Sequence, residues 1–111
     1  MKTDDVLLVI STFPEAEGAA RIAEQLVTER LVACANILPS ARSIYRWKGK
    51  MESAAETIVL FKTTRARFAE VKTKLNQLHP YDVPEIIAFP ASDGLPAYLA
   101  WVEESCAPPA G

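Results

Sequence analysis

Between residues 40 and 62 the chain carries two strand-like runs joined through Gly49, and this segment restricts the fold more than any other. Its first half reads Ser40-Ala-Arg-Ser-Ile-Tyr-Arg-Trp-Lys-Gly-Lys50. Side chains alternate faces along a strand, so Tyr45 and Trp47 share one face and Arg46 and Lys48 the other. Past Gly49 the chain runs through Lys50-Met-Glu-Ser-Ala-Ala-Glu56 into a second apolar strand. The segment is therefore predicted to be a long hairpin. A small chain has few uses for a hairpin with a basic, aromatic arm, and pairing with another subunit is a leading one.

Composition narrows the class. The chain has 111 residues, of which 50% are hydrophobic and 23% charged. That is enough for one domain with a real core, and it is a globular composition. A net charge of −2 argues against a dedicated nucleic-acid binder, although basic residues cluster between 42 and 50. Two cysteines, Cys34 and Cys106, are too few for a disulfide scaffold or a four-thiolate metal site. The first apolar run, Val6-Leu-Leu-Val-Ile10, is too short for a signal-peptide core, and no run approaches membrane-spanning length. A soluble, cytoplasmic protein with no membrane partner is expected.

Strand and helix patterns alternate along the chain. Residues 6–10 read as a buried strand. Ser11 or Thr12 is expected to cap a first helix, with Pro14 in its first turn and Ala19, Ile22, Ala23, Leu26 and Val27 on its apolar face. A second strand covers 32–37, bends or bulges at Leu38-Pro39-Ser40, and resumes over 44–48. Residues 57–62 form the third strand. Thr63 or Thr64 caps a second helix bearing Phe68, Val71, Leu75 and Leu78, which Pro80 stops. Residues 85–89 form a fourth strand, Asp93-Gly94 a turn, and Leu95, Tyr98, Leu99 and Val102 a short last helix. One domain over 1–106 and a mobile tail over 107–111 are expected.

The order strand, helix, strand, strand, helix, strand is that of an α+β, ferredoxin-like split βαβ sandwich (βαββαβ), here with an additional C-terminal helix. Right-handed crossovers place both main helices on one sheet face. The other face and the sheet edges stay open and need charge, short strands or a partner. The second and third strands extend beyond the helix layer, so oligomerisation through the Tyr45/Trp47 arm is expected.

Several segments then point to one family. Ala33-Cys-Ala-Asn-Ile-Leu-Pro39 and Arg42-Ser-Ile-Tyr-Arg-Trp-Lys-Gly-Lys50 resemble signatures of the CutA divalent-cation tolerance proteins. So do Lys62-Thr-Thr-Arg65, His79-Pro-Tyr-Asp-Val-Pro-Glu-Ile-Ile-Ala88 and Leu95-Pro-Ala-Tyr-Leu-Ala-Trp101, in family order over nearly the whole chain. The resemblance implies a homotrimer like the nitrogen-signalling trimers, a link to copper tolerance, and copper or another divalent metal as cofactor. One departure stands out. The loop after the first strand reads Thr12-Phe-Pro14, where some relatives carry a cysteine, so a metal site needing that thiol is incomplete here.

Chemistry singles out few residues. Cys34 is either a thiolate for a soft metal such as Cu(I) or an inert core thiol. His79 is the sole histidine. It is either a favourable group at a helix C-terminus or an imidazole ligand. Glu85 and Asp82 either add oxygen donors to the same metal reading or are solvated loop carboxylates, the latter being the expectation for Asp82. Tyr45, Trp47, Lys62 and Glu85 are the residues the resemblance gathers around an intersubunit pocket, where a small anionic ligand is the alternative partner. No nucleophile–base pair and no glycine-rich phosphate loop is legible, so catalysis is not expected. The two readings are a non-catalytic, trimeric copper-tolerance protein and a trimer that senses an anionic metabolite or serves as a scaffold.

Overall fold

The computed structural model describes residues 5–108. Its elements run β1 (Val6–Phe13), α1 (Ala16–Thr28), β2 (Cys34–Trp47), β3 (Lys50–Thr64), α2 (Arg65–Leu78), β4 (Ile87–Pro90) and α3 (Pro96–Cys106). The four strands form one antiparallel sheet in the order β2-β3-β1-β4. This is the ferredoxin-like split βαβ arrangement with the extra C-terminal helix.

The expected start of α1 needs correction. Ser11 and Thr12 do not cap it; they lie in β1, opposite Val59 and Ile58. The long partner strand β3 supplies a ladder that hydroxyl residues can join. Pro14 follows the strand, and Glu15 caps the helix by accepting the Gly18 N–H at 2.8 Å. A side chain at residue 18 would collide with that carboxylate, so glycine suits the position. The helix stops in a Schellman motif. Arg30 takes φ 60°, Leu31 N–H reaches Leu26 O at 3.0 Å, and Arg30 N–H reaches Val27 O at 3.0 Å. Of the two caps offered for α2, Thr64 serves: its hydroxyl accepts the Arg67 N–H.

The hairpin is longer than its apolar residues indicate. β3 begins at Lys50 rather than 57, because pairing with β2 overrides the weak strand preference of Glu52 to Glu56. Lys48 and Gly49, at φ 50° and 78°, form the tight turn whose twist suits a two-residue hairpin. A bulge lies between Leu38 and Ala41, where Pro39 and Ser40 oppose Thr57 alone, and Ser40 stands at φ 65°. β4 begins at Ile87 rather than 85. Its ladder stops at Ile10↔Ile87, and the next outward carbonyl, that of Thr12, is taken by the His79 ring. Of the expected tail, residues 109–111 lie outside the described residues, whereas the Ala107 carbonyl accepts from Arg30 at 2.8 Å.

Burial divides the sheet into two faces. Val9, Phe13, Val59 and Phe61 pack beneath Ala19, Ala23 and Leu26 of α1 and Val71 and Leu75 of α2. A second cluster, Val6, Ala33, Leu99, Val102 and Cys106, seats α3 at the end of the sheet. The opposite face carries Leu8, Ile10, Ile58 and Leu60, all half-buried, with Leu38, Ile87 and Phe89 exposed. The register puts Cys34, Asn36 and Lys62 on this open face, together with Tyr45 and Trp47 beyond the bulge.

Candidate functional site

The candidate residues fall into three separate places. The first is on the open face, where β2 meets α3. Cys34 lies directly opposite Lys62, and its thiol is 3.9 Å from the Tyr98 hydroxyl. Burial, and then the Cys34 sulfur beside it, raises the Tyr98 pKa above its ordinary value. The Lys62 amine donates to the Asn36 amide oxygen. Among the described residues no carboxylate pairs with Lys62. A cation set on a mostly apolar face with only a neutral partner keeps its capacity for an anion.

The second place is the far end of β1. The His79 ring stacks on Phe13, with centroids 4.4 Å apart and planes 18° from parallel. His79 is 8% exposed. One ring nitrogen, Nε2, lies 2.9 Å from the Thr12 carbonyl oxygen. The other, Nδ1, accepts the Tyr81 N–H at 3.1 Å. Burial pulls the His79 pKa below its ordinary value, and the Thr12 carbonyl and Glu56 charge oppose that only in part. The Tyr81 hydroxyl donates to Glu56 Oε2 at 2.7 Å. Burial first, then the Glu56 carboxylate, pushes the Tyr81 pKa up to about 12.

The third place is the arm. Tyr45 faces Glu52 and Trp47 faces Lys50, and Trp47 is 58% exposed. Lys62 lies twelve residues further along β3 than Lys50, which at ~3.3 Å per residue is about 40 Å. One chain therefore does not bring Trp47 and Lys62 together. Glu85 is exposed in the loop before β4.

The metal donors do not converge within one chain either. Cys34 sits level with Leu8 and the His79 ring with Thr12, four residues along β1, or ~13 Å. Both imidazole nitrogens already have partners. Among the described residues no group of three or more His, Cys, Asp or Glu could hold a metal ion. A surface groove of about 560 Å³ between α2 and the 82–86 loop is lined by Lys72, Asn76 and Asp82 and holds none of the other candidates. A resident metal thus does not fit the donor set that the described residues of a single subunit offer.

Asn36, Tyr98, Tyr81 and Glu56 are site residues that motif reading passes over. Asn36 carries a legible signal, being two positions from Cys34 and so on its face. Tyr98 and Glu56 carry none, because their partners lie 64 and 25 residues away in sequence.

An α+β sandwich with a bare sheet face and a long aromatic arm matches one family over almost its whole length. The model of the CutA1 divalent ion tolerance proteins fits residues 7–105. The divalent-cation tolerance protein CutA of Thermus thermophilus is 46% identical over 98 residues, covering 88% of this chain and 95% of the relative. The crystal structure of CutA from Xylella fastidiosa superposes with a TM-score of 0.90 at 45% identity, covering 93% of this chain and 99% of that one. The structure from Archaeoglobus fulgidus, described as a periplasmic divalent cation tolerance protein, superposes at 0.88 with 37% identity over 92% and 99% of the two chains. The chain belongs to the CutA1 divalent ion tolerance family.

Proposed function

We propose that this protein acts in divalent-cation tolerance as a homotrimer that binds metal, copper foremost, without catalysing a reaction. The observation that carries the reading is the half-buried Cys34 thiol on an open sheet face, at the start of an unpaired edge strand. A thiolate suits copper, and an edge with an exposed apolar face suits a second copy of the chain. Leu38, Ile87, Phe89, Tyr45 and Trp47 are exposed along that side. Since the described residues of one subunit hold no complete donor set, the remaining donors come from neighbouring subunits. The protein works in the cytoplasm, where reducing conditions keep Cys34 a thiol. Copper titration of the reduced protein, with its mass measured alongside, tests the reading: binding lost in Cys34→Ser supports it, and undiminished binding defeats it.

Lys62 favours a second reading. Its amine, with Asn36 as neutral partner, suits an anionic small molecule at an intersubunit pocket completed by Tyr45, Trp47 and Glu85 of neighbouring copies. Binding of an anionic metabolite that is lost in Lys62→Met but kept in Cys34→Ser selects it.

A further inference from the structure

We infer that Glu56 is a positioning residue that, through Tyr81, holds the His79 imidazole closed to metal ions. The inference rests on the metal-binding reading and adds how one of its candidate ligands is withheld. A carbonyl oxygen only accepts, so the 2.9 Å contact with Thr12 assigns the ring proton to Nε2. The contact of Nδ1 with the Tyr81 N–H, at 3.1 Å, then uses the only lone pair left on the ring. Coordination requires a free lone pair on a neutral imidazole. In this arrangement His79 has none to give.

The ring cannot easily turn to free it. Phe13 stacks on one side at 4.4 Å, and Tyr81 closes on it at 5.1 Å. The closure depends on where the backbone of residue 81 is held. Pro80 limits the φ freedom between the two residues. The Tyr81 side chain is tied down by its 2.7 Å hydrogen bond to Glu56. Glu56 lies opposite Ala41, in the first pair of the arm beyond the bulge. The chain of contacts therefore runs from the base of the arm, through Glu56 and Tyr81, to His79 and the end of β1. Releasing Glu56 frees the loop that carries Tyr81, and with it the Nδ1 lone pair.

Because His79 is the sole histidine, an imidazole-specific probe reads this one ring. Carbethoxylation of the full chain, followed by its ultraviolet absorbance, measures access to the lone pair without any metal. Nitrogen-15 chemical shifts of the ring give the tautomer. The parent and Glu56→Gln, which keeps an acceptor for Tyr81, react slowly and show the Nε2–H tautomer. Glu56→Ala and Tyr81→Phe react about tenfold faster, the equivalent of one lost hydrogen bond. A parent that reacts as fast as Glu56→Ala and Tyr81→Phe, or that shows the Nδ1–H tautomer, overturns the inference. A separate arm adds Ni(II) and follows broadening of the His79 ring signals. Broadening in Glu56→Ala but not in the parent supports both the latch and the metal reading. Expected reactivities with no broadening in either protein uphold the latch and count against His79 as a ligand.

Discussion

The Arg30 guanidinium donates from Nη2 to the Glu104 carbonyl oxygen at 2.8 Å, so the residue that ends α1 also holds the last turn of α3. Its Nε makes a second such bond, to Ala107 O. Arg30 does this from a left-handed backbone, φ 60°, which costs a non-glycine residue about 1 kcal/mol. Arg30→Ala loses both bonds and keeps the strain, for a cost of about 2 kcal/mol. Arg30→Gly loses the bonds but relieves the strain, so it costs about 1 kcal/mol less than Arg30→Ala. Urea denaturation of the three proteins checks the order; equal midpoints for the two variants would refute it.

Ser11 presents the opposite opportunity. Its side chain is fully buried beneath the helices, and among the described residues its hydroxyl has no hydrogen-bond partner. A buried, unsatisfied hydroxyl destabilises, and Ser11→Ala removes it while leaving only a small change in volume. The variant gains about 1 kcal/mol, read as a higher melting temperature. A lower one would show that the hydroxyl is satisfied after all.

Stability falls on mild acidification through His79. Its folded pKa lies below the ordinary 6.5 because burial disfavours the cation. Just below pH 6.5 the unfolded chain therefore binds more protons than the folded one, and protonation favours unfolding. The contribution is fully present above pH 6.5 and is lost as pH falls from there through the folded pKa. His79→Gln removes this slope. Denaturation midpoints measured from neutral pH downward, parent against variant, decide it; parallel profiles would assign the acid sensitivity to other groups.

Trp47 is the most direct test of self-association. It is an exposed indole at the end of the arm, opposite Lys50 and with the Lys48 amine 6.0 Å from its ring centroid. If it anchors a subunit contact, Trp47→Ala weakens assembly by about 2 kcal/mol or more. Light scattering then finds smaller particles for the variant than for the parent at the same concentration. On the trimer proposal the parent's melting temperature rises with protein concentration, since binding between subunits stabilises the folded state by mass action. A monomeric parent at micromolar concentration ends the trimer proposal.

Periodicity and capping chemistry made much of the fold legible. The Thr64 cap, the apolar face of α2 and the hairpin about Gly49 all follow from local sequence. The misplaced start of α1 shows the limit of local reasoning. Ser11 and Thr12 are good caps in isolation, yet their place is decided by partners 48 and 46 residues away on β3. The candidate site was legible as residue types but not as an arrangement. Cys34 and His79 look like a ligand pair until the register separates them along β1. The engagement of both His79 nitrogens depends on Thr12, 67 residues earlier, which no motif spacing encodes.

The bulge at Pro39 and Ser40 has a consequence that follows from counting. On its core side the paired residue numbers sum to 96, as in Leu38↔Ile58; on its arm side they sum to 97, as in Ala41↔Glu56. A chain lacking Ser40 would close the gap with an unbroken ladder. Every arm pair down to Trp47↔Lys50 would survive, and Tyr45 and Trp47 would still share a surface with Cys34. The surplus residue is therefore unnecessary for deciding which side chains meet. What it supplies is direction: a local bend and added twist that set the azimuth of the arm relative to the sheet. Shortening the strand by that one residue would preserve every partnership within the subunit and re-aim the aromatic tip in space.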